Sequence, residues 1–245
     1  REGMLVRRLC AVWTVVAAAG GIGQFAVRAV MEGSARRTGG FLGNPNAMGI
    51  FLTVGWFGLN HCLQEQKERR EGRPNLRPVM EPILLIGLTL TLSMGSFAAM
   101  AAGILTVLAE RGKRAGGKEM FRLASRILAK ASLAVGTGLL IYLAAARTRI
   151  PWLCLPLIFY GLALAACWEK FEEFLEGYPG MAVLISGFGL AVAVTAAAVR
   201  PSSVATFAER LEMMRNGLGY LTKNPVLGVG PYQWRFLNLY DGDKY

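Results

Sequence analysis

The sequence predicts an all-α protein: a polytopic bundle of transmembrane helices over residues 1–199, then an external segment over 200–245 with an amphipathic helix. Three observations lead there. The chain is 53% hydrophobic with a positive mean hydropathy, and its apolar residues come in uninterrupted runs. The run 181–199 holds neither a charge nor a proline, about the length that crosses a hydrocarbon core. The charged residues gather between the runs. A formal charge of +11 would suggest nucleic acid in a soluble domain. Here the basic residues are dispersed over separate loops, so no nucleic-acid partner is expected; membrane lipids are.

Residues 9–27 form the first expected span. They resemble a signal-peptide core behind Arg7 and Arg8, but the run is too long and has no evident cleavage site. Because residue 1 is Arg, the natural start is expected to lie upstream. Next comes "RRTGGFLGNPNAMGIFL", where Asn44-Pro45 opens a turn, since the residue before proline is pushed out of the helical region. Asn46 is expected to cap a helix that begins at Ala47 and supplies a second span over 47–63.

Two basic segments follow: 64–81 with five Lys or Arg, and 109–130 with seven. Between them run 28 uncharged residues. A single helix of that length would be about 42 Å long and would put its basic flanks on opposite sides. A helical hairpin with its tip near Ser93-Met94-Gly95-Ser96 keeps both flanks on one side. Residues 131–146, 151–168 and 181–199 bring the expectation to about five full spans plus the hairpin.

Lys and Arg near membrane ends favour the cytoplasm, so both basic segments are expected inside. Residues 31–46, the hairpin tip and 200–245 then share the outer face. The acidic stretch "EKFEEFLEGYPG" falls inside, which counts weakly against this order. The spans are expected to carry almost no ionisable residues. The four cysteines lie in or beside apolar runs without C-x-x-C spacing, which points to buried free thiols. With one histidine, His61, near the inner end of its span, no metal and no cofactor are expected.

In the tail, Thr206 and Glu209 have capping-box spacing, and Leu211, Met214, Leu218 and Leu221 recur at helical intervals. The helix is expected to end before Asn224-Pro225. Alone, it reads as a basic helix lying on a membrane surface.

"RRTGGFLGNPNAMGIFL", an uncharged run with serines at its middle, and "ERLEMMRNGLGYLTKNPVLGVGPYQW" occur in the order found in the O-antigen ligase and polymerase family, which this chain resembles over most of its length. The resemblance implies a GT-C-like helical enzyme of the bacterial inner membrane. Such an enzyme moves a glycan from an undecaprenyl-pyrophosphate donor to a lipid or glycan acceptor at the outer leaflet. It also implies pyrophosphate binding by Arg210, which matches the arginine before the family's Pro-x-x-Gly-x-Gly turn, here closing on Gly228 and Gly230. Arg215 and Arg37 are further candidates. Asn44, Asn46, Ser93 and Ser96 would shape or line the donor site. Arginine suits the task because its rigid fork of donors holds phosphate oxygens as charge develops on the leaving group.

Two departures stand out. Met94 occupies the position where the family commonly has an arginine after serine, so either a second pyrophosphate-binding arginine is missing or another, such as Arg147 or Arg149, substitutes. The external histidine expected as general base is not reached by Tyr245, so the chain is expected to be a fragment of a longer enzyme; no residue is assigned to catalysis. Two non-enzymatic readings compete: a transporter, and a scaffold subunit with a surface-lying tail helix.

Overall fold

The computed structural model describes residues 2–68, 77–112, 116–148, 150–198, 201–223 and 225, and every helix or strand among them is helical. In order these are α1 (Glu2–Met31), α2 (Pro45–Glu68), α3 (Arg77–Thr91), α4 (Met94–Gly112), α5 (Gly117–Arg147), α6 (Cys154–Ala166), α7 (Trp168–Gly177), α8 (Pro179–Ala198) and α9 (Pro201–Lys223), with single 3-10 turns at Gly40–Leu42 and Pro151–Leu153. The chain divides into two compact units, Arg1–Val192 and Ala193–Tyr245.

In the first unit α3 is the axis. From Leu84 to Thr91 every residue is buried, because α1, α2, α5 and α6 all pack on it. A helix apolar on every side has no face to give to water, so it goes to the centre. Contacts between small residues set the directions. Ala18 meets Gly87, Thr14 meets Gly55, and Thr89 meets Gly138, where an added methyl would lie 2.6 Å from Thr89 Cβ. Small residues let helix backbones approach closely, the means of association where no aqueous hydrophobic effect drives it. Ser96 packs on Gly49 and Phe57 on Gly103, so α4 runs alongside α2 in the same direction.

The chain therefore reverses between α3 and α4, as the hairpin requires. The turn lies at Leu92 and Ser93, where Leu92 takes a left-handed φ of 47°. The two legs diverge to grip α2. One end of the unit (the serine-turn end) carries this turn and the loop between α1 and α2. The other (the basic end) carries the amino ends of α3, α5 and α8.

By length and composition, two helices among the described residues can cross a hydrocarbon core, Leu9–Met31 and Gly117–Arg147. A third is reached if Pro151–Ala166 and Trp168–Gly177, bent by 61°, count as one broken span. At 15 residues, α3 is about 22 Å long, short of a full core. The outward faces are apolar, with Trp13, Phe159, Leu184 and Phe188 all exposed, an exterior suited to hydrocarbon.

Several expectations change. Helix α2 begins at Pro45, not Ala47, and Asn44 caps it instead of Asn46: its Oδ1 accepts from the backbone N–H of Asn46 at 2.8 Å and of Ala47 at 3.3 Å. Proline suits the first helical position because its missing N–H would be unpaired there anyway. In the second unit α9 already starts at Pro201, so Thr206 is interior to the helix; the helix does end at Lys223. Cys154 is buried, but Cys10 and Cys167 are exposed. An apolar exterior tolerates a thiol as readily as a core does.

The helices run past the expected spans and take in charged residues. Lys130 Nζ donates to Glu81 Oε2 at 2.9 Å and to Glu172 Oε1 at 2.6 Å, and Trp168 Nε1 donates to the same Glu81 oxygen at 3.2 Å. These residues come from α5, α3, α7 and the start of α7. The sequence had put Glu81 and Lys130 in loops, because basic neighbours masked the helices that run through them. The acidic stretch is helix α7, and it pairs with the basic face of α5: Arg126 meets Glu176 at 2.7 Å, one turn from Lys130 and Glu172.

Candidate functional site at the serine-turn end

The loop between α1 and α2 is stitched to the bundle by its own polar atoms. Thr38 N donates to Leu90 O at 3.1 Å. Thr38 Oγ1 lies 3.0 Å from Gly21 O and 2.9 Å from Gln24 Oε1, and Gly40 N donates to that same Gln24 oxygen at 3.0 Å. Gly40, at φ 53°, takes a left-handed conformation that places its backbone against Met48. The fixed loop delivers Arg37 to the carboxyl end of α3. Arg37 Nε donates to Thr91 O at 2.8 Å, and Arg37 Nη2 donates to Asn46 Oδ1 at 2.8 Å.

Both contacts have local causes. Thr91 O is one of the last carbonyls of α3, which have no partner inside the helix, and a cation at that end is favoured by the helix dipole. Asn46, in the first turn of α2, turns its side-chain oxygen to the guanidinium. The result ties the end of α3 to the start of α2 through one half-buried arginine.

Ser93 and Ser96 sit directly behind this clamp. Ser96 Oγ donates to Ser93 Oγ at 2.8 Å, and Ser93 Oγ lies 3.4 Å from Ser96 N, the geometry of a helix cap on α4. They are 2% and 0% exposed, whereas Met94 between them is 53% exposed. The polar serines seal the turn against Gly49, and the apolar methionine reaches out.

Of the residues singled out in the sequence, the fold brings Arg37, Asn44, Asn46, Ser93 and Ser96 to one end. Arg36 is exposed beside Arg37, which makes this end locally cationic. Arg215 is exposed on α9, in the other unit. Arg210 stands in α9, but its side chain is outside the described residues, as are Arg149, Gly228 and Gly230. Arg147 closes α5. His61 lies toward the carboxyl end of α2, its side chain likewise outside the described ones. Sequence reasoning missed Gln24, Thr38 and Thr91, which hold the loop; a polar residue facing the core one turn from Gly21 was the available signal. It also missed the Lys130 cluster, although Lys118, Arg122, Arg126 and Lys130 repeat every four residues.

The chain matches no protein-family model, no curated protein and no solved structure.

Proposed function

We propose that the chain is part of a bacterial inner-membrane glycosyltransferase that moves a glycan from undecaprenyl pyrophosphate to a lipid or glycan acceptor at the outer leaflet. In that reaction the acceptor hydroxyl attacks C1 of the donor sugar and the C1–O bond to pyrophosphate breaks. Undecaprenyl pyrophosphate leaves with the electron pair, and the hydroxyl proton passes to a base that these residues do not identify. The serine-turn end is then the outer face, and the expected count of about five full spans plus the hairpin belongs to this proposal.

One observation carries the reading. Arg37 and Asn46, nine residues apart in the quoted glycine-rich motif, form a fixed cationic clamp beside the serine turn, so two separate motifs of the resemblance meet at one place. A guanidinium held in advance needs no reorganisation when charge develops on a leaving phosphate, and such donors contribute about 10²–10³ in rate. Arg210 would contribute from α9.

Arg37→Ala and Arg210→Ala, each made in the full-length protein, should lower glycan transfer by roughly that factor while lipid-linked donor accumulates. Normal glycan chains in both variants, with normal membrane insertion, would remove the reading. A transporter remains the second reading, favoured by the buried Lys130–Glu81–Glu172 cluster, since ionisable groups between membrane helices mark ion and proton paths. Proton or solute flux in proteoliposomes that disappears in Lys130→Met would favour it.

A further inference from the structure

The four basic residues on one face of α5 do not share one fate. The inner pair is neutralised: Lys130 by Glu81 and Glu172, and Arg126 by Glu176. The outer pair, Lys118 and Arg122, lies nearer the amino end of α5, past Arg126, which takes the last paired carboxylate of α7, Glu176. Among the described residues no carboxylate forms an ion pair with either. Instead they line an open groove of about 430 Å³ at the basic end, between the first turns of α5 and α8. The other wall is apolar, made by Phe121, Pro179 and Val183. Among the described residues no acidic one lines it. Glu176 lies in an adjoining hollow, shared with Arg122 and Arg126. Glu119, next to Lys118 on α5, is not part of the lining.

We propose that this groove holds an anionic phospholipid, its phosphate between Lys118 and Arg122 and an acyl chain along Phe121 and Val183. The combination selects the ligand class. Two cations that form no ion pair among the described residues ask for an anion, and the exposed aromatic and aliphatic wall asks for hydrocarbon. A phosphate alone would leave Phe121 and Val183 uncovered; a neutral lipid would leave both cations unpaired. Position agrees, because basic pockets between membrane helices at the cytoplasmic side bind anionic head groups. The amino ends of α5 and α8 both open there, and their dipoles favour the same charge. The inference rests on the membrane reading with the basic end toward the cytoplasm, and is independent of glycosyl transfer. A bound lipid would also give the groove-lining ends of α5 and α8 a common partner beyond the contact of Ser186 Oγ with Ser125 O.

The test is native mass spectrometry of the purified full-length chain titrated with phosphatidylglycerol and with phosphatidylcholine. Each Lys or Arg near an anionic head group contributes a factor of about five, so Lys118→Gln with Arg122→Gln should weaken phosphatidylglycerol binding about thirtyfold. Arg28→Gln with Lys170→Gln removes the same charge away from the groove and should leave binding unchanged. Equal retention of the two lipids, or equal losses in both double variants, would overturn the proposal. Competition by inorganic phosphate as effective as by the lipid would also overturn it, because the acyl wall would then play no part. Phe121→Trp gives a second readout with the cations intact: its added fluorescence should be quenched by brominated phosphatidylglycerol and not by brominated phosphatidylcholine. Equal quenching counts against the site, whatever the charge variants do.

Discussion

Two residues show how much a single side chain decides here. Asn44 satisfies two backbone N–H groups at the start of α2, so Asn44→Ala should cost about 1 kcal/mol in an unfolding titration, and Asn44→Asp much less. No difference between the two variants would mean that water caps the helix equally well. Lys130 is a larger case. Its ammonium lies between two carboxylates, and Glu81 is buried with its carboxylate also accepting from Trp168. Removing the lysine alone leaves buried negative charge, so Lys130→Met should destabilise by about 3–5 kcal/mol. Adding Glu81→Gln should restore part of that loss, because the uncompensated charge disappears. A double variant no better than Lys130→Met would show that the lysine acts through packing rather than charge.

At the scale of elements, helix contacts depend on where glycine sits. Gly138 faces Thr89 across α5 and α3, while at Gly136, two positions earlier, an added Cβ would point into open space. Gly138→Ala should therefore cost about 1–3 kcal/mol through overpacking, and Gly136→Ala should stay within about 0.5 kcal/mol of the parent. Equal effects on stability would mean that α5 can rotate on α3 without cost. The hairpin was legible because twenty-eight uncharged residues between two basic flanks cannot be one straight helix without separating those flanks. The capping of α2 was not legible to the residue. Asn44 and Asn46 flank the same proline, and only the path of the loop shows which oxygen faces the free N–H groups. Nor was the break between α6 and α7, since the apolar run continues through Cys167 where the helix axis bends.

For the whole molecule, the reversal at Leu92 puts the basic flanks at one end and the Arg37 clamp at the other. Met94, not the buried Ser96, is the position to probe. Met94→Cys should react with an impermeant thiol reagent applied outside intact cells, and Gly116→Cys should not, in a background where Cys10 and Cys167 are replaced. The opposite pattern would invert the orientation; labelling of both would remove the hairpin. The helical class, the turn at Ser93 and the end of α9 before Asn224-Pro225 were determined by the sequence alone. Each depends on neighbours a few residues apart: the length of an apolar run, a turn-forming dipeptide, a proline. Tertiary structure alone decided that α3 is the buried axis, that Arg37 bridges Thr91 to Asn46, and that Lys130 finds Glu81 and Glu172. Apart from Asn46, nine residues from Arg37, those partners lie 42 to 54 residues apart in the chain. No local spacing encodes which helices become neighbours; that follows from how glycine-lined faces and opposite charges pack together.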